Sequence, residues 1–183
     1  MMTSTPSLRD ALAHAELIHD RAALDAAIVR MAAEIDAVYG ADRPLFLTVM
    51  HGGMFFAAQL ALAMRIDADF DYLHATRYRG STEGATLHWL HHPASALAGR
   101  RVLLVDDILD EGPTLAAIRQ WCREQGAAEV RIAVLAWKRH DRLVPDLLPD
   151  HVGVETPDRY VFGYGMDFHE QGRNLPAIYA LKD

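Results

Sequence analysis

The run Asp106-Asp107-Ile108-Leu109-Asp110-Glu111-Gly112-Pro113-Thr114 packs carboxylates, a glycine and a hydroxyl into one short stretch. Adjacent carboxylates such as Asp106 and Asp107 can accept hydrogen bonds from vicinal hydroxyls. They can also hold Mg2+ through water, since that ion keeps several waters and takes few protein carboxylates. Gly112 can adopt the positive φ that turns consecutive amides toward an anion. Thr114 adds a hydroxyl donor. Pro113 has no N–H but suits a first helical turn, so the amide donors would be those of Glu111, Gly112, Thr114 and Leu115. Carboxylates beside a phosphate cradle point to a phosphorylated sugar, a metal, or both. No Gly-x-x-x-x-Gly-Lys-Ser/Thr loop occurs, which disfavours nucleoside triphosphate hydrolysis.

These groups need a strand before them and a helix after them. Val102-Leu103-Leu104-Val105 reads as a strand buried on both faces. Residues 114–125 read as its helix, with Leu115, Ile118, Trp121 and Cys122 on one face and Gly126 as the stop. Ligands of open α/β sheets bind outside the carboxyl ends of strands, and a helix N-terminus offers free amides to phosphate. Upstream, Asp20 caps a helix whose Leu24, Ile28, Met31, Ile35 and Val38 share a face, closing at Gly40. Residues 45–50 form a buried strand, His51-Gly52-Gly53 a tight turn, and residues 54–64 an apolar helix. Strands are predicted at 15–19, 69–75, 86–91, 130–137 and 160–162, with a long loop at 77–84 and a basic loop at 138–142. The remainder, punctuated by Pro145, Pro149, Pro157 and Pro176, reads mostly as loops and short strands. The fold class is α/β, a mainly parallel sheet flanked by helices. Residues 1–183 form one domain, with a small hood from about 1–20 and 150–183.

Bulk properties exclude several classes. A chain of 183 residues, 51% hydrophobic and 23% charged, can bury a real core. A formal net charge of -7 argues against non-specific nucleic-acid binding. No apolar run is long enough to span a bilayer, and residues 1–6 lack the features of a secretory signal. The single Cys122 cannot form an internal disulfide, so a cytoplasmic, reducing setting is expected. The histidines are scattered, without zinc spacing.

The stretch from Val102 to Leu115 resembles the phosphoribosyl-pyrophosphate (PRPP) motif of type I phosphoribosyltransferases. Pro157-Asp158-Arg159-Tyr160-Val161-Phe162-Gly163-Tyr164-Gly165-Met166-Asp167 and Arg173-Asn174-Leu175-Pro176 are similar to the hypoxanthine-guanine branch. The resemblance implies that Asp106 and Asp107 contact the ribose hydroxyls directly or through Mg2+, and that Asp110, Glu111, Gly112, Pro113 and Thr114 hold the 5′-phosphate. It makes Asp110 the general acid/base near purine N7. Lys138 would read the 6-oxo group, Tyr160 stack on the base, and the backbone of Val161 meet its edge. His51-Gly52 falls where the family has its pyrophosphate loop with an unusual cis peptide. Asp167 matches a magnesium ligand, Arg173 a pyrophosphate contact, and residues 77–84 a lid.

The implied reaction moves the 5-phosphoribosyl group of PRPP to N9 of hypoxanthine or guanine, giving IMP or GMP and pyrophosphate. Mg2+ is the implied cofactor and a homodimer or homotetramer the implied assembly. Two departures stand out: His51 replaces a basic residue, and Glu111 places an extra carboxylate beside a phosphate unless it points to solvent. Taken singly, Lys138 is a surface lysine, Tyr160 a core aromatic, Asp167 a turn residue and Arg173 a surface partner; their joint spacing makes them a site. Two alternatives stand beside this: a xanthine-preferring enzyme, and a PRPP- or nucleotide-sensing regulator of the same fold, which the acidic chain disfavours.

Overall fold

The computed structural model describes residues 7–77 and 87–182. In chain order the elements are α1 (Leu8–Ala13), β1 (Ala15–His19), α2 (Arg21–Tyr39), β2 (Leu45–Val49), α3 (Met54–Ala63), β3 (Asp69–Arg77) and β4 (Leu87–His91). There follow β5 (Arg101–Leu109), α4 (Pro113–Glu124), β6 (Glu129–Lys138), β7 (His151–Thr156), β8 (Val161–Phe162) and β9 (Ile178–Leu181). Most of the predicted lid, residues 78–84, lies outside the described residues.

A six-stranded sheet has the order β4-β3-β2-β5-β6-β7. All its pairings are parallel except that of β3 with β4. The side chains of its inner strands alternate between two cores, as the period of two demands. Phe46, Leu103, Val105, Ala133 and Leu135 meet the apolar stripe of α2 (Leu24, Ile28, Met31, Ile35) and Phe56 and Leu60 of α3. Leu45, Leu47, Val102, Leu104, Ile132 and Val134 meet Leu115, Ile118 and Cys122 of α4. Burying an aliphatic side chain is worth about 2 kcal/mol, and a side-chain cap about 1 kcal/mol. The stripe therefore seats α2, while the Asp20 carboxylate, accepting from the Ala23 amide, only fixes where the helix starts.

The helices that follow β2 and β5 thus lie on opposite faces of the sheet. The chain runs outward from β2 to β3, then returns to β5 on the other side of β2. That reversal opens a crevice beyond the carboxyl ends of β2 and β5, where open α/β sheets bind ligands.

The second sheet, β1-β9-β8, joins the two ends of the chain. With α1 it forms the hood, packed around Phe162 and Phe168. β7 belongs to the main sheet instead, so the C-terminal part of the hood begins after Thr156 and not at 150. β7 and β9 were not among the predicted strands. β5 also runs four residues beyond its apolar run, to Leu109, because β6 continues to pair with it at Asp106↔Val134, Ile108↔Ala136 and Leu109↔Trp137. Asp106 and Asp107 accordingly sit inside the strand, not after it.

Cys122 is wholly buried, and burial pushes its thiol up to about 12. Because the thiolate is the reactive form, the folded protein is expected not to react with an aromatic disulfide reagent at a pH of about 8. Unfolding in denaturant should release the full thiol. Rapid labelling of the native protein would contradict this packing.

Candidate active site

The crevice is a cavity of about 910 Å³. Its walls are the turn after β2 (Met50, His51, Gly52), the end of β3 (His74, Ala75, Thr76), the end of β5 with residues 110–115, and Asp167 and Arg173 from the hood. The size suits a phosphorylated sugar with a base.

Its floor is acidic. Asp107 is buried, and its Oδ1 accepts from the Ile108 amide at 2.8 Å. Asp106 Oδ1 accepts from the Asp107 amide at 2.9 Å. Burial, and then repulsion from Asp107, pushes Asp106 well above the usual carboxylate range. Burial also raises Asp107, though less, since hydrogen bonds favour its charged form. This pair gains from a nearby cation, and Arg173 is the protein cation beside it.

The segment expected to cradle a phosphate forms a tight turn into α4. Gly112 is left-handed at φ 85, Pro113 opens α4, and no side chain caps the helix. The first-turn amides are therefore left for a ligand. Glu111 resolves its own apparent conflict: its side chain is half exposed and turned to Arg142 Nε at 3.4 Å.

The turn after β2, the end of β5 and the hood meet closely at Gly52, Asp107 and Gly165. A Cβ on Gly52 would fall 2.1 Å from Asp107 Oδ2, and one on Gly165 would fall 2.2 Å from the Gly52 carbonyl oxygen. Arg173 Nη1 donates to the Gly165 carbonyl at 2.7 Å, and its Nη2 pairs with Asp167 Oδ1 at 2.7 Å. Asp167 Oδ2 accepts from the Glu170 amide at 2.8 Å. The cis peptide lies between Met50 and His51, one bond before His51-Gly52. The His51 ring meets His74 edge-on at 4.3 Å, and burial, then His51, lowers His74.

Lys138 is the last residue of β6 and not the first of a loop. Its Nζ donates to Asp110 Oδ2 at 2.5 Å, while His140 Nε2 lies 2.8 Å from Asp110 Oδ1. Burial would raise Asp110, but Lys138 and then His140 outweigh it and hold the carboxyl below its ordinary value. Tyr160 is half exposed, and its hydroxyl donates to the Asp167 carbonyl at 3.1 Å. Val161 is buried in the hood sheet opposite Ala180. Lys138, Tyr160 and Val161 flank the cavity without lining it.

Three residues near the site were not singled out in the sequence. His74 and Thr76 line the cavity from the carboxyl end of β3, the position that strand order makes functional. His140 sits in the basic loop, its side chain only 2% exposed. Its signal was its place just after a buried strand.

Fold and site together define a class, and comparison agrees. The chain belongs to the phosphoribosyltransferase family: residues 14–169 match the phosphoribosyl transferase domain. Within it, the chain is 31% identical over 155 residues to the hypoxanthine-guanine phosphoribosyltransferase of Streptococcus pneumoniae, covering 84% of this chain and 86% of that one. It is 29% identical over 182 residues to the hypoxanthine-guanine-xanthine phosphoribosyltransferase of Tritrichomonas foetus, covering 100% and 98%. A crystal structure of a hypoxanthine phosphoribosyltransferase from Staphylococcus aureus superposes with a TM-score of 0.86 at 26% identity, covering 100% of this chain and 97% of that one.

Proposed function

We propose that the protein is a 6-oxopurine phosphoribosyltransferase of purine salvage, converting hypoxanthine or guanine and PRPP to IMP or GMP and pyrophosphate. The observation that carries this is Asp110, paired with Lys138 beside the uncapped start of α4 and lining one cavity with Gly52, Asp107 and Arg173.

The 5′-phosphate binds the amides of residues 111, 112, 114 and 115 and the Thr114 hydroxyl. Asp106 and Asp107 take the ribose hydroxyls, directly or through a cation. The His51-Gly52 backbone and Arg173 take the pyrophosphate. The base lies against Tyr160, with Lys138 donating to its 6-oxo oxygen and the Val161 backbone at its edge. As N9 bonds to C1 of the ribose, the C1–O bond to pyrophosphate breaks and the leaving oxygen keeps the electron pair. The N7 proton passes to the Asp110 carboxylate, which also offsets the positive charge developing on the ribosyl ring. Lys138, on turning to the base, vacates Asp110 Oδ2 and makes that oxygen more basic than in the ligand-free protein.

No cluster of three metal-ligating side chains occurs among the described residues. The residues nevertheless fit Mg2+, which needs only one or two carboxylates plus substrate oxygens. Asp106 and Asp107 would hold it from the floor and Asp167 from the hood, after release from Arg173. An ion held by these carboxylates would supply neutralisation of charge on the departing pyrophosphate.

A cytoplasmic setting and a homodimeric or homotetrameric assembly belong to the same proposal. The buried, unpaired thiol of Cys122 suits a reducing compartment. Phe70 and Tyr72 of β3 and Leu90 of the edge strand β4 are exposed, as residues of a subunit contact are in a lone chain. No helix among the described residues is long and apolar enough to cross a membrane.

The test is a panel of hypoxanthine, guanine, xanthine and adenine with PRPP and Mg2+. Turnover of 6-oxopurines without adenine is expected, and adenine as the best substrate would overturn the base assignment. Lys138→Ala should raise KM for the purine by about tenfold or more, the worth of a lost hydrogen bond from a charged donor. KM for PRPP should stay within about twofold. A large loss of PRPP affinity would place Lys138 at a phosphate instead.

A further inference from the structure

We propose that His140 is a positioning residue that fixes the orientation of Asp110 and reserves one of its oxygens for the transferred proton. The inference deepens the proposed function and rests on it. The carboxylate of Asp110 is held at both oxygens: Oδ2 by Lys138 and Oδ1 by His140 Nε2. The two donors differ in what they can do next. Lys138 has a flexible stem, and in the proposed reaction it turns to the 6-oxo oxygen. His140 cannot follow. Its side chain is 2% exposed, and the Arg142 amide donates to its Nδ1 at 3.1 Å.

That amide also fixes the tautomer. Nδ1 accepts a proton-bearing partner, so it carries no proton of its own, and Nε2–H donates to Asp110 Oδ1. The ring is thus held at both nitrogens, with Nε2 toward Asp110 and Nδ1 toward the Arg142 amide. Arg142 is itself anchored, donating from both terminal nitrogens to Asp158 at 2.8 and 2.7 Å and pairing with Glu111. The loop after β6, the loop before α4 and the segment leading into β8 are tied together around His140. When Lys138 leaves, Oδ1 stays bonded to Nε2–H, and Oδ2 is the free basic oxygen. The purine N7 proton goes there. Among the described residues, Lys138 and His140 are the groups hydrogen-bonded to Asp110, and Glu111, Arg142 and Asp158 lie around the ring.

Two substitutions separate the roles of the two ring nitrogens. The amide oxygen of His140→Asn stands near Nδ1 and keeps the Arg142 bond, but the donor to Asp110 is lost. The amide nitrogen of His140→Gln stands near Nε2 and keeps that donor. His140→Asn should lower kcat for IMP formation by about tenfold or more, leave KM for PRPP within about twofold, and shift the acid limb of kcat/KM upward, since a donor that favours ionised Asp110 is gone. His140→Gln should recover kcat to within about threefold of wild type. Wild-type kcat and an unmoved acid limb in His140→Asn would overturn the proposal, as would equal loss in both variants. A readout independent of turnover is the ring tautomer by 15N NMR of the ligand-free protein. Nε2–H is expected, and Nδ1–H would overturn the proposal even if the wild type made no nucleotide from any 6-oxopurine.

Discussion

Replacing Asp110 with asparagine should cut kcat by about 100-fold to 10,000-fold, the usual contribution of a positioned acid or base, while KM for PRPP changes little. Asparagine has nearly the same shape, so the cavity keeps its walls. It cannot take up the N7 proton, and it cannot offset positive charge on the ribosyl ring. It also cannot satisfy both present partners, because Lys138 and His140 each donate to Asp110 and an asparagine offers only one acceptor oxygen. The Asp110 side chain is 44% exposed, so this mismatch is softened by water and should move Tm only slightly. Steady-state kinetics with hypoxanthine and calorimetric binding of IMP separate the two effects: turnover collapses while nucleotide affinity is largely kept. Wild-type-like turnover in this variant would remove Asp110 from the chemistry.

Gly165→Ala should be damaging for a different reason. Gly165 has φ +106, a conformation that costs any other residue, and an added Cβ would meet the Gly52 carbonyl oxygen at 2.2 Å and Asp107 Cβ at 3.1 Å. These neighbours are backbone and a buried short side chain, so neither can swing aside. The cost should be about 3 kcal/mol or more. Relief requires the hood to lift from the floor, taking with it Arg173, which donates to the Gly165 carbonyl. A lower Tm and a raised KM for PRPP, larger than any change in KM for the purine, are expected from thermal denaturation and kinetics. An unchanged Tm with unchanged KM would show that the contact between Gly165 and Gly52 is not held in solution.

The parts of this site that were legible in the sequence are those whose structure is local. The apolar run before Asp106 could only be a buried strand, and Gly112-Pro113 before an amphipathic segment could only start a helix, so the cradle was fixed within a few residues. The extension of β5 through the acidic pair was not legible, because pairing with β6 sustains it against local preference. β7 interrupts its apolar residues with Gly153 and Glu155, and β9 is short and follows Pro176, so neither carries a strand pattern by itself. His140 was one histidine among ten, and what distinguishes it, Asp110 on one nitrogen and the Arg142 amide on the other, comes from the folded chain. The pairing of Lys138 with Asp110 is likewise a product of two adjacent strand ends, those of β5 and β6.

The end of β5 is proposed to carry a phosphoribosyl group to a 6-oxopurine. The most direct measurement supplies the purified protein with PRPP, Mg2+ and hypoxanthine and follows IMP and pyrophosphate by chromatography. The two products are expected in equal amounts, and neither should form with Asp110→Asn on the same timescale. No IMP from the wild-type protein, alongside tight binding of the nucleotide, would contradict it and leave a nucleotide-sensing role for the same cavity.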